Sequence, residues 1–134
     1  MTSGPGDAKT LPLIDDVEIT HHEGYVELEF KGEFSHTVAM RVVDAMVAAA
    51  TAAECSSILL DCRRMTGPLS VIDRFAVAEY GAQGIPRHIN VGMLVREDHI
   101  LPDRFFENAA VSRGVRVKLF TLADEAIGWV RGCR

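Results

Sequence analysis

The chain is poor in the features that mark a stapled, membrane-bound or nucleic-acid-binding protein. Aromatic residues make up only 7% of its 134 residues, and there are three cysteines. Cys55, Cys62 and Cys133 are odd in number and stand at no zinc spacing. Reduced thiols in a cytoplasmic protein are therefore expected. No apolar run approaches the roughly 20 residues of a membrane-spanning helix, so no span is expected. Met1 to Thr10 lack the basic and apolar regions of a secretory signal. Ser3, Gly4, Pro5 and Gly6 instead suggest a flexible leader over residues 1–14, ahead of a single domain over 15–134. Basic charge is scarce too. The formal net charge is -5, which speaks against nucleic acid as a partner. Through Phe34 there are eight acids and two lysines, so the remainder is slightly positive. There is no Gly-x-Ser-x-Gly elbow and no phosphate-binding loop, and no cofactor is expected.

What the chain does have is periodicity. Val17 and Ile19 alternate with Glu18 and Thr20, and Val26, Leu28 and Phe30 alternate with Tyr25, Glu27, Glu29 and Lys31. With a turn at His21-His22-Glu23-Gly24, these runs predict a β-hairpin with one apolar and one acidic face. Gly32 to Phe34 breaks the pattern. Ser35 then precedes a helix over His36 to Ala53, with Arg41, Asp44 and Thr51 on one side and Val38, Val42, Met46, Ala49 and Ala53 on another. Ser57 to Asp61 reads as a buried central strand, followed by a loop from Met65 to Pro68. Ser70 and Asp73 are spaced like a capping box, opening a helix to about Tyr80 that Gly81, Gly84 and Pro86 end. Ile89 to Val95 is a second buried strand, where Gly92 marks a close backbone approach or a bulge. After a polar loop from Arg96 to Leu101, Pro102 and Asp103 open a helix that runs through Arg113 and closes at Gly114. Val115, Val117 and Leu119 alternate with Arg116 and Lys118 in an edge-type strand. Leu122, Ala126, Trp129 and Val130 line one face of a last helix. The order β-β-α-β-α-β-α-β-α predicts an α/β fold: a single mixed sheet, an antiparallel hairpin joined to parallel strands, flanked by about four helices.

The run Ile58-Leu59-Leu60-Asp61, then Arg63, Thr66-Gly67 and a helix starting near Ser70, resembles STAS-type domains, the sulfate-transporter and anti-sigma-factor-antagonist fold. Phe106-Glu107, Arg113-Gly114, Val117, Phe120, Asp124, Glu125-Ala126 and Trp129-Val130 are similar to the SpoIIAA-like, STAS/SEC14-type stand-alone bacterial proteins. The resemblance covers about Val17 to Val130. It implies a non-catalytic regulatory or ligand- and protein-binding domain. It also implies a kinase-phosphorylated switch at Ser70, although Leu69 stands where those antagonists carry Asp. The related lipid-carrier fold implies an alternative: a small-molecule or lipid carrier with a pocket near the carboxyl ends of the strands.

The candidate residues follow. Ser70 is a phosphoacceptor or a plain helix N-cap. Asp61, Arg63, Arg96, Asp98 and His99, with Arg64, gather where the strands of open α/β sheets end, the usual place for a ligand. There Arg63 and Arg96 would hold a carboxylate or phosphate; alternatively Asp61 caps local N–H groups and the arginines pair with nearby acids. His21-His22 with Glu23 would make a poor metal site, because adjacent residues on an extended chain point opposite ways. The expected partner is a protein, or a small anionic or apolar ligand. Opposite charge on the hairpin face and on Arg116 and Lys118 suggests self-association, such as a homodimer.

Overall fold

The computed structural model describes residues 17–33, 35–66 and 71–132; the leader, Ser70 and Cys133 lie outside them. The alternating hairpin forms as β1 (Val17–His22) and β2 (Tyr25–Glu33). Both histidines belong to β1, and the turn is Glu23-Gly24, shorter than the sequence suggests. Gly24 adopts φ +92, a conformation most side chains avoid. Helix α1 (His36–Ala53) starts where Ser35 Oγ accepts a hydrogen bond from the Val38 amide at 3.2 Å. Arg41, Asp44 and Thr51 face solvent, and Val42, Met46 and Ala49 are buried, as the periodicity requires. The helix ends on Glu54 in the left-handed conformation, without the glycine usual there.

Strand β3 (Ser57–Thr66) is five residues longer than expected. Helix α2 (Val71–Gly84) continues through Gly81, past the predicted stop at Tyr80, because a lone glycine is tolerated inside a helix with sound flanking turns. Strand β4 (Asn90–Leu94) leads into a 3₁₀ turn, Glu97–His99, and α3 (Ile100–Val111). The polar loop is thus shorter than predicted, with Pro102 in the first helical turn, where a missing N–H costs nothing. Beyond α3, Gly114 N–H reaches the Val111 carbonyl (3.0 Å) and Val115 N–H the Ala110 carbonyl (3.1 Å), with Gly114 at φ +94. This is the predicted glycine stop, in a Schellman arrangement. Strand β5 (Arg116–Phe120) and α4 (Ala123–Gly132) complete the fold. Because α4 begins at Ala123, Leu122 falls outside its buried face and is exposed.

The strands form one sheet in the order β1-β2-β3-β4-β5, antiparallel between β1 and β2 and parallel elsewhere. Helices α1, α2 and α3 cover one face, over a core of Leu28, Phe30, Ile58, Leu60, Val91 and Val117. Among the described residues helix α4 alone covers the other, where Ala126 and Val130 pack on Leu59, Leu94 and Tyr25. It lies over β3 to β5 and leaves the same face of β1 and β2 to the polar set Glu18, Thr20, His22, Glu27 and Glu29. Among the described residues no helix is long and apolar enough to cross a membrane.

Gly92 is what lets α4 approach so closely. A Cβ there would lie 2.8 Å from Val130 Cγ1, a stiff, fully buried side chain. Gly92→Ala is therefore expected to lower stability by about 1–3 kcal/mol through overpacking. In urea unfolding, the Gly92→Ala, Val130→Ala double variant should lose less than the sum of the two single changes, because the added methyl occupies the space that the valine vacates.

Candidate functional site

The candidate site is a charged rim built by a mismatch in strand length. β4 pairs with β3 only from Ser57 to Asp61, while β2 follows β3 on to Thr66. Beyond Asp61 the β4 side of β3 has no strand beside it among the described residues. Arg96, just past β4, takes that place: its Nη1 donates to the Arg63 carbonyl (3.2 Å) and the Met65 carbonyl (3.1 Å). The rest of the fork holds Asp98, with Nε to Oδ1 at 3.0 Å and Nη2 to Oδ2 at 3.4 Å. A planar guanidinium can serve two carbonyls and a carboxylate at once; an ammonium cannot match that geometry.

The second element is a bulge. Between the pairs Glu29–Asp61 and Lys31–Arg64, β3 advances three residues while β2 advances two. The extra residue leaves both Arg63 and Arg64 exposed and returns Met65 to the core. Asp61 is only 4% exposed. Its Oδ1 accepts from the Arg63 amide and from Arg63 Nε, both at 3.1 Å, and its Oδ2 accepts from Arg63 Nη2 at 2.9 Å. The hydrogen bonds that Arg63 donates to Asp61 raise its guanidinium above its already high ordinary pKa, outweighing the partial burial that opposes charge. Arg64 reaches Glu29 at 3.6 Å, a looser and more exposed pair.

The structure thus brings Asp61, Arg63, Arg96 and Asp98 to one end of β3 and β4. His99 closes the 3₁₀ turn beside them, and its side chain, like Ser70, lies outside the described residues. At the opposite end of the sheet, His22 Nε2 meets Glu27 Oε1 at 2.7 Å and its ring stacks on Tyr25 at 4.5 Å. No cluster of three metal-ligating side chains occurs among the described residues. Cys55 and Cys62 are not joined in a disulfide, and Cys62 is buried. A cavity of about 510 Å³ lies along the outer edge of β5, away from the rim where a carrier pocket is expected.

One buried carboxylate escaped the sequence reading as a structural group. Glu107, 7% exposed, accepts the outward amide of Leu119 at 2.8 Å and pairs with Arg104. Its spacing three residues before buried Ala110 is the signal that places it on the inner face of α3.

No family model matches the sequence, and no curated protein does. Solved structures do share the arrangement. An anti-sigma factor antagonist from Mycobacterium paratuberculosis has a TM-score of 0.59 at 16% identity, over 86% of this chain and 92% of that one. An uncharacterized protein with a SpoIIAA-like fold from Shewanella loihica has a TM-score of 0.54 at 15% identity, over 85% and 91%. The antagonist SpoIIAA in its unphosphorylated form has a TM-score of 0.51 at 14% identity, over 87% and 98%. What these share with the chain is the fold: a SpoIIAA-like α/β architecture of one mixed sheet flanked by helices, as expected from the sequence.

Replacing Arg96 by Met should expose the Arg63 and Met65 carbonyls, at about 1–2 kcal/mol. Amide exchange over residues 63–66 should then quicken, while exchange in β4 stays as it was; unchanged exchange at 63–66 would show that Arg96 does not hold this segment. A second outcome concerns the two tyrosines. Burial, and secondarily Glu27, raises the pKa of Tyr25 against the opposing charge of Arg131. The hydrogen bond to Asp44 at 2.7 Å raises that of Tyr80. A raised folded pKa favours the neutral phenol, so this stability is present below about pH 10 and is lost as pH climbs through the folded values. Tyrosinate absorbance should rise at higher pH in the native protein than in urea, and Tyr25→Phe should remove one of the late transitions.

Proposed function

We propose that the domain is a non-catalytic regulatory module that works by presenting the rim at the carboxyl ends of β3 and β4 to a protein partner. The observation that carries this reading is the internal pairing of the rim charges. Both oxygens of Asp61 are engaged by Arg63, and Arg96 is engaged by two carbonyls and Asp98. Groups held in this way define a rigid charged surface, which suits recognition better than proton transfer at a substrate. Two of the structural neighbours are named as anti-sigma factor antagonists, which supports a regulatory role for the same fold here. A cytoplasmic setting fits the reduced state of Cys55 and Cys62.

Ser70 fits this reading as its switch, because it directly precedes Val71, the first residue of α2. A phosphate on Ser70 would add a charge of about -2 to the module.

The test is affinity capture from the native host, joined to native mass spectrometry of the purified protein. Wild type should retain a protein partner, and Arg64→Glu, a change at an exposed side chain, should weaken capture about tenfold without lowering the melting temperature. An acyl chain or anionic metabolite bound one per chain would favour the carrier instead. Turnover on a hydrolase and transferase substrate panel that is lost in Asp61→Asn would overturn the non-catalytic reading. Capture unchanged by Ser70→Asp would remove the switch and leave the module.

A further inference from the structure

The two edges of the sheet are oppositely charged. Among the described residues β1 pairs only with β2, and β5 only with β4, so each turns backbone groups outward, on β5 up to Leu119, whose amide Glu107 takes. On the α4 face, β1 carries Glu18, beside Glu27 and Glu29 of β2. On the same face β5 carries Arg116 and Lys118; the lysine ammonium lies over the Phe120 ring, 5.6 Å from its centre. Across five strands these edges stand about 19 Å apart, close to twice the screening length at 0.1 M salt. A second molecule therefore meets each as a separate field.

The β5 edge also has a shaped recess. The cavity of about 510 Å³ runs along residues 114–118, with Val111 of α3 on one wall and Trp129 of α4 on the other. Val111 is 50% exposed. Alternate residues of a strand present their amides to the same side, so the Val117 backbone points outward with that of Leu119. Glu107 occupies the Leu119 amide and marks the far end of the recess.

We propose that this recess receives β1 of a second copy of the chain, antiparallel to β5, so that the sheets join head to tail. Charge selects this pairing from the alternatives. Two β5 edges would set Arg116 and Lys118 against their own copies, and two β1 edges would meet acid to acid; β1 on β5 sets Glu18 among Arg116 and Lys118. The apolar side matches as well, because the half-buried Val17 and Ile19 come toward the exposed Val111. Among the described residues no helix covers the α4 face of β1 and β2, where α4 of the neighbour, with Trp129, would overhang it. An edge lysine is a common guard against strand pairing, but it repels a basic edge and attracts an acidic one. The pairing is heterologous, so it does not close at two copies.

Sedimentation at low salt tests this directly. The mass of wild type should grow with concentration beyond two copies and fall back as salt is added. Glu18→Lys and Lys118→Glu should each weaken self-association about tenfold. Mixing the two variants should restore it, because each then offers the edge that the other lacks. Circular dichroism of both variants checks that the exposed changes leave the fold intact. A wild type that stays monomeric at every concentration overturns the proposal and leaves Lys118 as a guard. So does a mass that stops at two, an association indifferent to both charge swaps, or a mixture that fails to recover it.

Discussion

The rim depends on one constraint: a central strand twice the length of its neighbour. β3 spans ten residues and β4 five. A backbone carbonyl left without a partner in a half-buried place costs about as much as a lost hydrogen bond, so the overhanging part of β3 needs a substitute for the missing strand. Arg96 is that substitute. It stands just past β4, after Val95, and its guanidinium bridges the Arg63 and Met65 carbonyls as the next strand would have done. With the overhang held, the bulge at Asp61–Arg64 becomes a fixed feature, and the positions of Arg63 and Arg64 at the rim follow from it.

The same economy appears at the other end of the hydrogen-bond ladder. β5 is an edge, and its Leu119 amide would face outward unanswered; the Glu107 carboxylate answers it. In both places a side chain from a neighbouring segment completes a strand. A buried carboxylate is costly unless its oxygens are engaged, and here one oxygen takes the amide and the other takes Arg104. Such groups look like site residues in a sequence. Their partners show what each holds in place in the fold.

How much was legible follows from what each signal measures. Period-two alternation and wholly apolar runs report burial on one face or on both, so the hairpin, the central strands and their order were readable. Gly92 and Gly114 were readable because a missing Cβ has few other uses in a strand centre or after a helix. The second half of β3 was not. Arg63-Arg64-Met65-Thr66 does not alternate, because a bulge shifts the phase, and a bulge depends on the register of another strand. Gly81 misled for a related reason: glycine weakens a helix without ending it, and the neighbouring turns decide. Leu122 misled because it stands just ahead of the first helical residue, Ala123, so the helical spacing that turns Ala126 and Val130 inward does not extend to its side chain. Asp61, Arg63, Arg96 and Asp98 were legible as a gathering, since strand ends and following loops are fixed by topology. Who pairs with whom was not, because it depends on the overhang.

The geometry also separates two directions of contact. The edges of the sheet run along β1 and β5, whereas the rim lies across the ends of β3 and β4. A molecule that paired through its edges would extend within the plane of the sheet, and one that bound through its rim would do so along the strand axis. The two uses do not compete for the same side chains: Glu18, Arg116 and Lys118 serve the edges, and Arg63, Arg64 and Arg96 the rim. Edge pairing would set successive rims side by side. A partner with two matching surfaces would then bind the second at a high effective concentration, with no new contact required in either molecule.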